Sequence, residues 1–228
     1  MTAVATISKA FGFRHLYGLR IGILVSITLI FSPSAHAATP TEAVTSTVDA
    51  VIAALQDATL SEEAKKRQVN GIISKHFDFR AMSSRVLATN WKKATKRQRG
   101  KFTSLFKELL SNTYWQKISG YRDENVEYVG EKLRGENLAT VNTIIKTSTV
   151  SIPVGYKLYR KDSGDWFTYD VVIEQVSLVR NYRGNFQEIV HDVGIDGLIG
   201  QLETKVARSS LPDDEEYFLV FFTTRPAQ

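Results

Sequence analysis

Apolar residues in this chain follow two spacings, every third or fourth position in some stretches and every second position in others. In residues 42–57, Val44, Val48, Val51, Ile52 and Leu55 recur at helical spacing, with Thr41 or Pro40 at the start. Residues 61–75 open on Ser61-Glu62-Glu63, a hydroxyl that can cap and acids that suit a first turn. The same period runs through 78–89 in Phe79, Met82, Val86 and Leu87. The longest helical signal is 95–119, where Phe102, Leu105, Phe106, Leu109, Leu110 and Thr113 make a wide apolar stripe and Thr95 can cap.

The period then shortens. Residues 125–133, 138–147, 151–161 and 165–175 read as strands. In the third, Ile152, Val154, Tyr156 and Leu158 alternate with Pro153, Gly155, Lys157 and Tyr159. The turns Arg134-Gly135-Glu136 and Asp162-Ser163-Gly164-Asp165, with a short link between the second and third strands, predict an antiparallel meander. Two helices follow, at 177–191 and 195–206, parted by Gly194. Helices, then strands, then helices is an α+β order: a curved four-stranded antiparallel sheet with one face on helices, in one domain over 38–207.

The two ends differ from this body. Residues 1–20 are cationic, 21–31 (IGILVSITLIF) are apolar, and Ala35-His36-Ala37 is a small-x-small site. This is the layout of a secretory signal peptide, with cleavage expected after Ala37. The apolar run is shorter than the roughly 20 residues a membrane anchor needs. Residues 208–228 hold an acidic break and the run Tyr217 to Phe222, a tail that either docks or lies outside the fold.

Charge and composition narrow the chemistry. The formal charge is +5, but Lys9, Arg14 and Arg20 sit in the leader, leaving 26 basic against 24 acidic residues. The mature chain is nearly neutral, which argues against nucleic acid as a partner. There is no cysteine, hence no disulfide, thiolate metal site or thiol nucleophile. His76 and His191 have no metal-ligand spacing. Glu62-Glu63 and Asp123-Glu124 are adjacent acids of the kind that usually face solvent. No metal site and no catalytic set is expected.

Two features carry a sharper alternative. Asp170 stands among Phe167, Tyr169, Val171, Val172 and Ile173. It reads either as a structural carboxylate, with Arg180 or Arg183 as partner, or as the general base of an enzyme on a small apolar substrate. The basic run Lys92 to Lys101 reads either as a solvated helix start or as a contact for anionic headgroups or an acidic partner, as in an adaptor protein. Aromatic residues crowd the second half of the chain. Most fill a core, yet a curved sheet facing amphipathic helices also leaves room for an apolar ligand.

Between 151 and 205 the runs IPVGYKLYRK, GDWFTYDVVIEQVSLVRNYRGNFQEIV and GIDGLIGQLETK, with FDFRAMSSRVLATNWKKAT and QRGKFTSLFKELLSNTY at 77–114, resemble the MlaC, or toluene-tolerance, family of periplasmic phospholipid-binding proteins. The likeness spans roughly 42–206. It implies an NTF2-like α+β fold whose apolar cleft shelters the acyl tails of a phospholipid, with the headgroup near solvent. It also implies a soluble periplasmic carrier moving lipid between an outer-membrane lipoprotein–porin complex and an inner-membrane ABC transporter bearing an MCE ring. Such a carrier touches membranes only transiently and helps keep the outer membrane asymmetric. It implies no cofactor and no catalysis; the phospholipid is cargo. The competing reading is an NTF2-like enzyme using Asp170. On periodicity, the expected lipid-binding set is Phe106, Leu110, Tyr114, Tyr128, Val141, Val154, Tyr156, Tyr169, Val171 and Phe186. Asn181, Tyr182 and Arg183 match a family N-Y-R motif, read as structural with Arg183 on Asp170. Gln175 stands where the family often has Gly, and the apolar tail at 217–222 is no family feature.

Overall fold

A computed structural model describes residues 38–121 and 125–208. The expected signal peptide, the Asp123-Glu124 pair and the tail beyond residue 208 lie outside the described residues.

Four helices lead. In α1 (Pro40–Gln56) the cap is Thr39, one residue earlier than expected: Thr39 and Glu42 form a reciprocal capping box, with Pro40 in the first turn. In α2 (Glu62–His76) Ser61 caps as its sequence suggests, accepting from the Ala64 N–H. The helical signal at 78–89 divides into α3 (Phe79–Leu87) and a short α4 (Thr89–Lys93), because Ala88 takes φ 50° and ψ −120°. Helix α5 (Lys96–Ile118) starts at Thr95, which closes a second capping box with Gln98.

The sheet follows as a meander: β1 (Asn125–Leu133), β2 (Leu138–Lys146), β3 (Ser151–Arg160), β4 (Trp166–Ile173) and β5 (Val176–Ser177), all antiparallel and in sequence order. The fifth strand is the departure from the expected four. A turn at Glu174 and Gln175, at φ 48° and 70°, folds β5 back on β4. Helix α6 (Leu178–Arg208) is bent at Gly194 (φ 72°), a conformation without strain only for glycine, so its halves match the two helices expected there.

Two bulges shape the sheet. One extra residue, Val129, interrupts the pairing of β1 with β2 between Tyr128 and Gly130. In β4, Asp170 pairs with Lys157 and Thr168 with Leu158, leaving Tyr169 unpaired.

The largest core is helical. Phe102, Phe106, Leu109, Val179, Tyr182, Phe186, Leu198 and Leu202 are buried together between α3, α5 and α6. Phe106 meets the rings of Tyr182 and Phe186 edge-on at 5.2 and 6.1 Å. Such pairs add about 1 kcal/mol each beyond burial. A second core fills one end of the sheet's inner face with Val44, Ala139, Val141, Leu158 and Trp166.

The basic run has a structural use. Arg99 reaches back from α5 to donate to the carbonyls of Trp91 (2.8 Å) and Lys92 (3.1 Å), closing the end of α4. Arg80 and Arg99 flank the Trp91 ring, each 5.5 Å from its centroid. Lys101 pairs with Glu203 at 2.7 Å.

Candidate functional site

At the other end of the sheet's inner face the helices and strands leave a cavity of about 680 Å³. Its size lies within the roughly 300–1,000 Å³ of small-molecule sites. Val48, Val51, Ile52 and Leu55 of α1 form one wall, with Val69 and Ile73 of α2. Leu110, Tyr114, Trp115 and Ile118 of α5 continue the lining, with Trp115 and Ile118 packed against Leu55 and Val69. The sheet contributes Ile145, Ile152, Val154, Tyr156, Val171 and Ile173. Strand pairing explains that floor: Val154 lies opposite Ile173 and Tyr156 opposite Val171 across β3 and β4. Polar side chains among the lining are few: Thr47, Asn70, Ser111, Lys107, Lys117 and Glu174, besides the tyrosines Tyr114, Tyr121 and Tyr156.

Burial acts on two of those tyrosines. It pushes the Tyr156 hydroxyl up to about 12 and the Tyr114 hydroxyl further still. Both stay neutral at ordinary pH, so neither adds a charge to the lining.

Five of the ten residues expected from periodicity line this cavity: Leu110, Tyr114, Val154, Tyr156 and Val171. The other five do not. Phe106 and Phe186 belong to the helical core, because the apolar stripe of α5 serves two surfaces. Its Phe102–Phe106–Leu109 edge faces α6, while Leu110, Tyr114 and Ile118 face the cavity. Val141 is buried in the filled end of the sheet, and Tyr128 packs against that cluster. Tyr169 is the bulged residue of β4; its ring lies under the Arg85 guanidinium at 4.2 Å, away from the lining. A strict two-residue alternation puts Tyr169 and Val171 on one face, and the bulge breaks it.

The periodicity of α1 and α2 was visible in the sequence, but nothing there says which stripe faces a solid core and which a hollow. Val48, Val51, Ile52, Leu55, Val69 and Ile73 were missed for that reason. Ile145 and Ile173 sit at strand ends, where alternation gives little warning.

Asp170 is 3% exposed and held on several sides. It accepts from Lys157 Nζ (2.9 Å), Ser177 Oγ (2.7 Å) and the Val179 N–H (3.1 Å). Neither arginine expected as its partner is there: Arg183 Nε donates to the Arg85 carbonyl at 2.8 Å. Asp170 thus anchors the start of α6 and does not line the cavity. Among the described residues no three His, Asp or Glu side chains converge as a metal site. No described helix is long and apolar enough to cross a membrane.

Comparison with known proteins bears on this cavity. The family model for the MlaC protein matches residues 45–204. The intermembrane phospholipid transport system binding protein MlaC of Haemophilus influenzae is 30% identical over 129 residues, 55% of this chain and 60% of that protein. The chain thus spans about 60% of the length of this curated relative. Among solved structures, a phospholipid-binding protein of Ralstonia solanacearum, in complex with a phospholipid, superposes with a TM-score of 0.71. It shares 20% identity and covers 76% of this chain and all of that one, a likeness of fold.

Proposed function

The chain belongs to the MlaC family, and on that premise we propose that it is a periplasmic phospholipid carrier whose cavity shelters acyl tails. The observation that carries this reading is the 680 Å³ hollow walled by aliphatic and aromatic side chains from α1, α2, α5 and the sheet. A cavity with so few polar groups suits hydrocarbon and offers little to a polar substrate. The Ralstonia protein's bound phospholipid and the Haemophilus protein's role in intermembrane transport support the same cargo.

The energetics fit a carrier better than a tight receptor. A buried methylene gains about 0.8 kcal/mol, so a sixteen-carbon tail gains roughly 12 kcal/mol relative to water. Two such tails exceed the practical ceiling of about 20 kcal/mol for non-covalent binding. The competing site is the bilayer, which buries the same tails, so net transfer stays near zero. Loading and unloading then depend on partners that lower the desorption barrier. On this reading the partners are an outer-membrane lipoprotein–porin complex and an inner-membrane MCE-bearing ABC transporter, and the traffic maintains outer-membrane asymmetry. Residues 1–37 direct export and are removed after Ala37.

The enzyme reading has less support, since Asp170 is spent on Lys157, Ser177 and α6. The test is lipid extraction and mass spectrometry on protein purified under mild conditions. About one phospholipid per chain is expected. Protein free of lipid, with a turnover abolished by Asp170→Asn, overturns the carrier reading.

A further inference from the structure

Of the two lysines in the lining, Lys107 and Lys117, the first stands out for its surroundings. Lys107 is half-buried on α5, lines the cavity, and places its ammonium 5.7 Å from the centre of the Phe79 ring. No carboxylate among the described residues pairs with it, whereas Lys101, six residues before on the same helix, is held by Glu203. A half-buried ammonium with only a ring beside it retains attraction for an anion.

Its surroundings are polar on one side only. One helical turn along the same face, Ser111 also lines the cavity and donates its hydroxyl to Asn70 Oδ1 at 2.8 Å. With its oxygen so engaged, the Asn70 side chain presents its amide N–H groups as donors. Lys107, Ser111 and Asn70 thus form a short polar strip along the α2–α5 wall, with Leu110 and Tyr114 immediately beside it.

We propose that this strip is a phosphate anchor: Lys107, supported by Asn70, receives the phosphate of the lipid headgroup while the tails extend past Leu110 and Tyr114. The assignment rests on the carrier reading and adds to it an orientation and a basis for discrimination. A diacyl lipid without phosphate fills the same hollow but leaves the ammonium unpaired.

The test offers vesicles containing phosphatidylglycerol and diacylglycerol with identical tails, and measures the ratio of the two lipids taken up. Comparing each variant's ratio with that of the unsubstituted protein cancels their different ease of leaving the bilayer. Lys107→Met keeps length and helix preference, and is expected to lower the phosphatidylglycerol preference about tenfold, or about 1.4 kcal/mol. Lys107→Arg keeps it, and Lys107→Gln provides a second neutral variant should the first fold poorly. Free inorganic phosphate is expected to leave the ratio unchanged, because it lacks the tails that hold a headgroup in place. An unchanged ratio in both neutral variants overturns the anchor while leaving the carrier intact. A ratio that inorganic phosphate shifts as Lys107→Met does overturns the headgroup assignment in favour of a free-phosphate site. An unsubstituted protein that takes up neither lipid, even from detergent micelles that remove the bilayer's desorption barrier, overturns both readings.

Discussion

Tyr156 and Val171 are paired across β3 and β4, and both side chains line the cavity floor. Two residues before Tyr156 on the same strand, Val154 extends that floor. Val154→Asp is expected to reduce co-purified phospholipid about tenfold or more, because a carboxylate there must lose its water when a tail arrives. The far-ultraviolet circular dichroism spectrum should be retained. Phospholipid content equal to that of the unsubstituted protein would show the tails lie elsewhere.

Phe106 tests the division of α5 into two surfaces. Its ring is fully buried against Phe102, Tyr182 and Phe186. Phe106→Ala should cost about 3–5 kcal/mol in urea denaturation, the usual range for such a truncation. The lipid carried per folded molecule should not change. A variant of normal stability that binds less lipid would reassign this ring to the cavity.

Much of this arrangement was legible in the sequence, and the failures share one cause. Helices and strands announced themselves through periodicity, and Ser61 and Thr95 were readable as caps because their chemistry is local. Side-chain facing on β4 was not readable past Thr168, because the bulge at Tyr169 depends on pairing with β3. The two-residue strand β5 is too short to leave a pattern. Hollow and solid regions use the same residue types, so Leu110 of the cavity and Leu109 of the core look alike until the helices are placed.

Asp170 should prove structural. Its removal strands Lys157, Ser177 and the first turn of α6. Asp170→Ala is expected to cost about 3 kcal/mol, the lower end for breaking a buried pair, since Lys157 keeps some contact with water. The shift in urea midpoint measures it, and an unchanged midpoint would return the residue to the list of candidate bases.

The turn between β4 and β5 carries strain that a glycine removes. Gln175 sits at φ 70°, a region that costs side chains about 1 kcal/mol. Gln175→Gly should therefore raise stability by about 1 kcal/mol, or roughly 2–4 °C in Tm for a chain of this size. A lower Tm would mean that the Gln175 side chain contributes more than its backbone costs.

Stability should fall at both ends of the pH scale for different reasons. At Asp78 burial pushes the pKa up, but bonds from the Tyr159 hydroxyl and the Ala81 N–H, with the Lys161 charge, outweigh it and hold the group below 3.8. The resulting stabilisation is present above the unfolded value and is lost as pH falls through the lowered one. Asp78→Asn should flatten this acid limb. Burial pushes the hydroxyls of Tyr156 and Tyr182 up to about 12 from 10.0. Their contribution is complete below pH 10 and disappears as pH rises towards 12. Urea midpoints recorded across pH check both limbs; an acid limb unaltered in Asp78→Asn would place the acid-sensitive group elsewhere.

Phe102, Phe106 and Phe186 in one cluster and Val141, Leu158 and Trp166 in another are buried outside the cavity lining, so this packing is closed whether the hollow is filled or empty. On the carrier reading, packing of this kind is independent of the passenger, so the emptied protein is expected to keep its fold from one loading to the next.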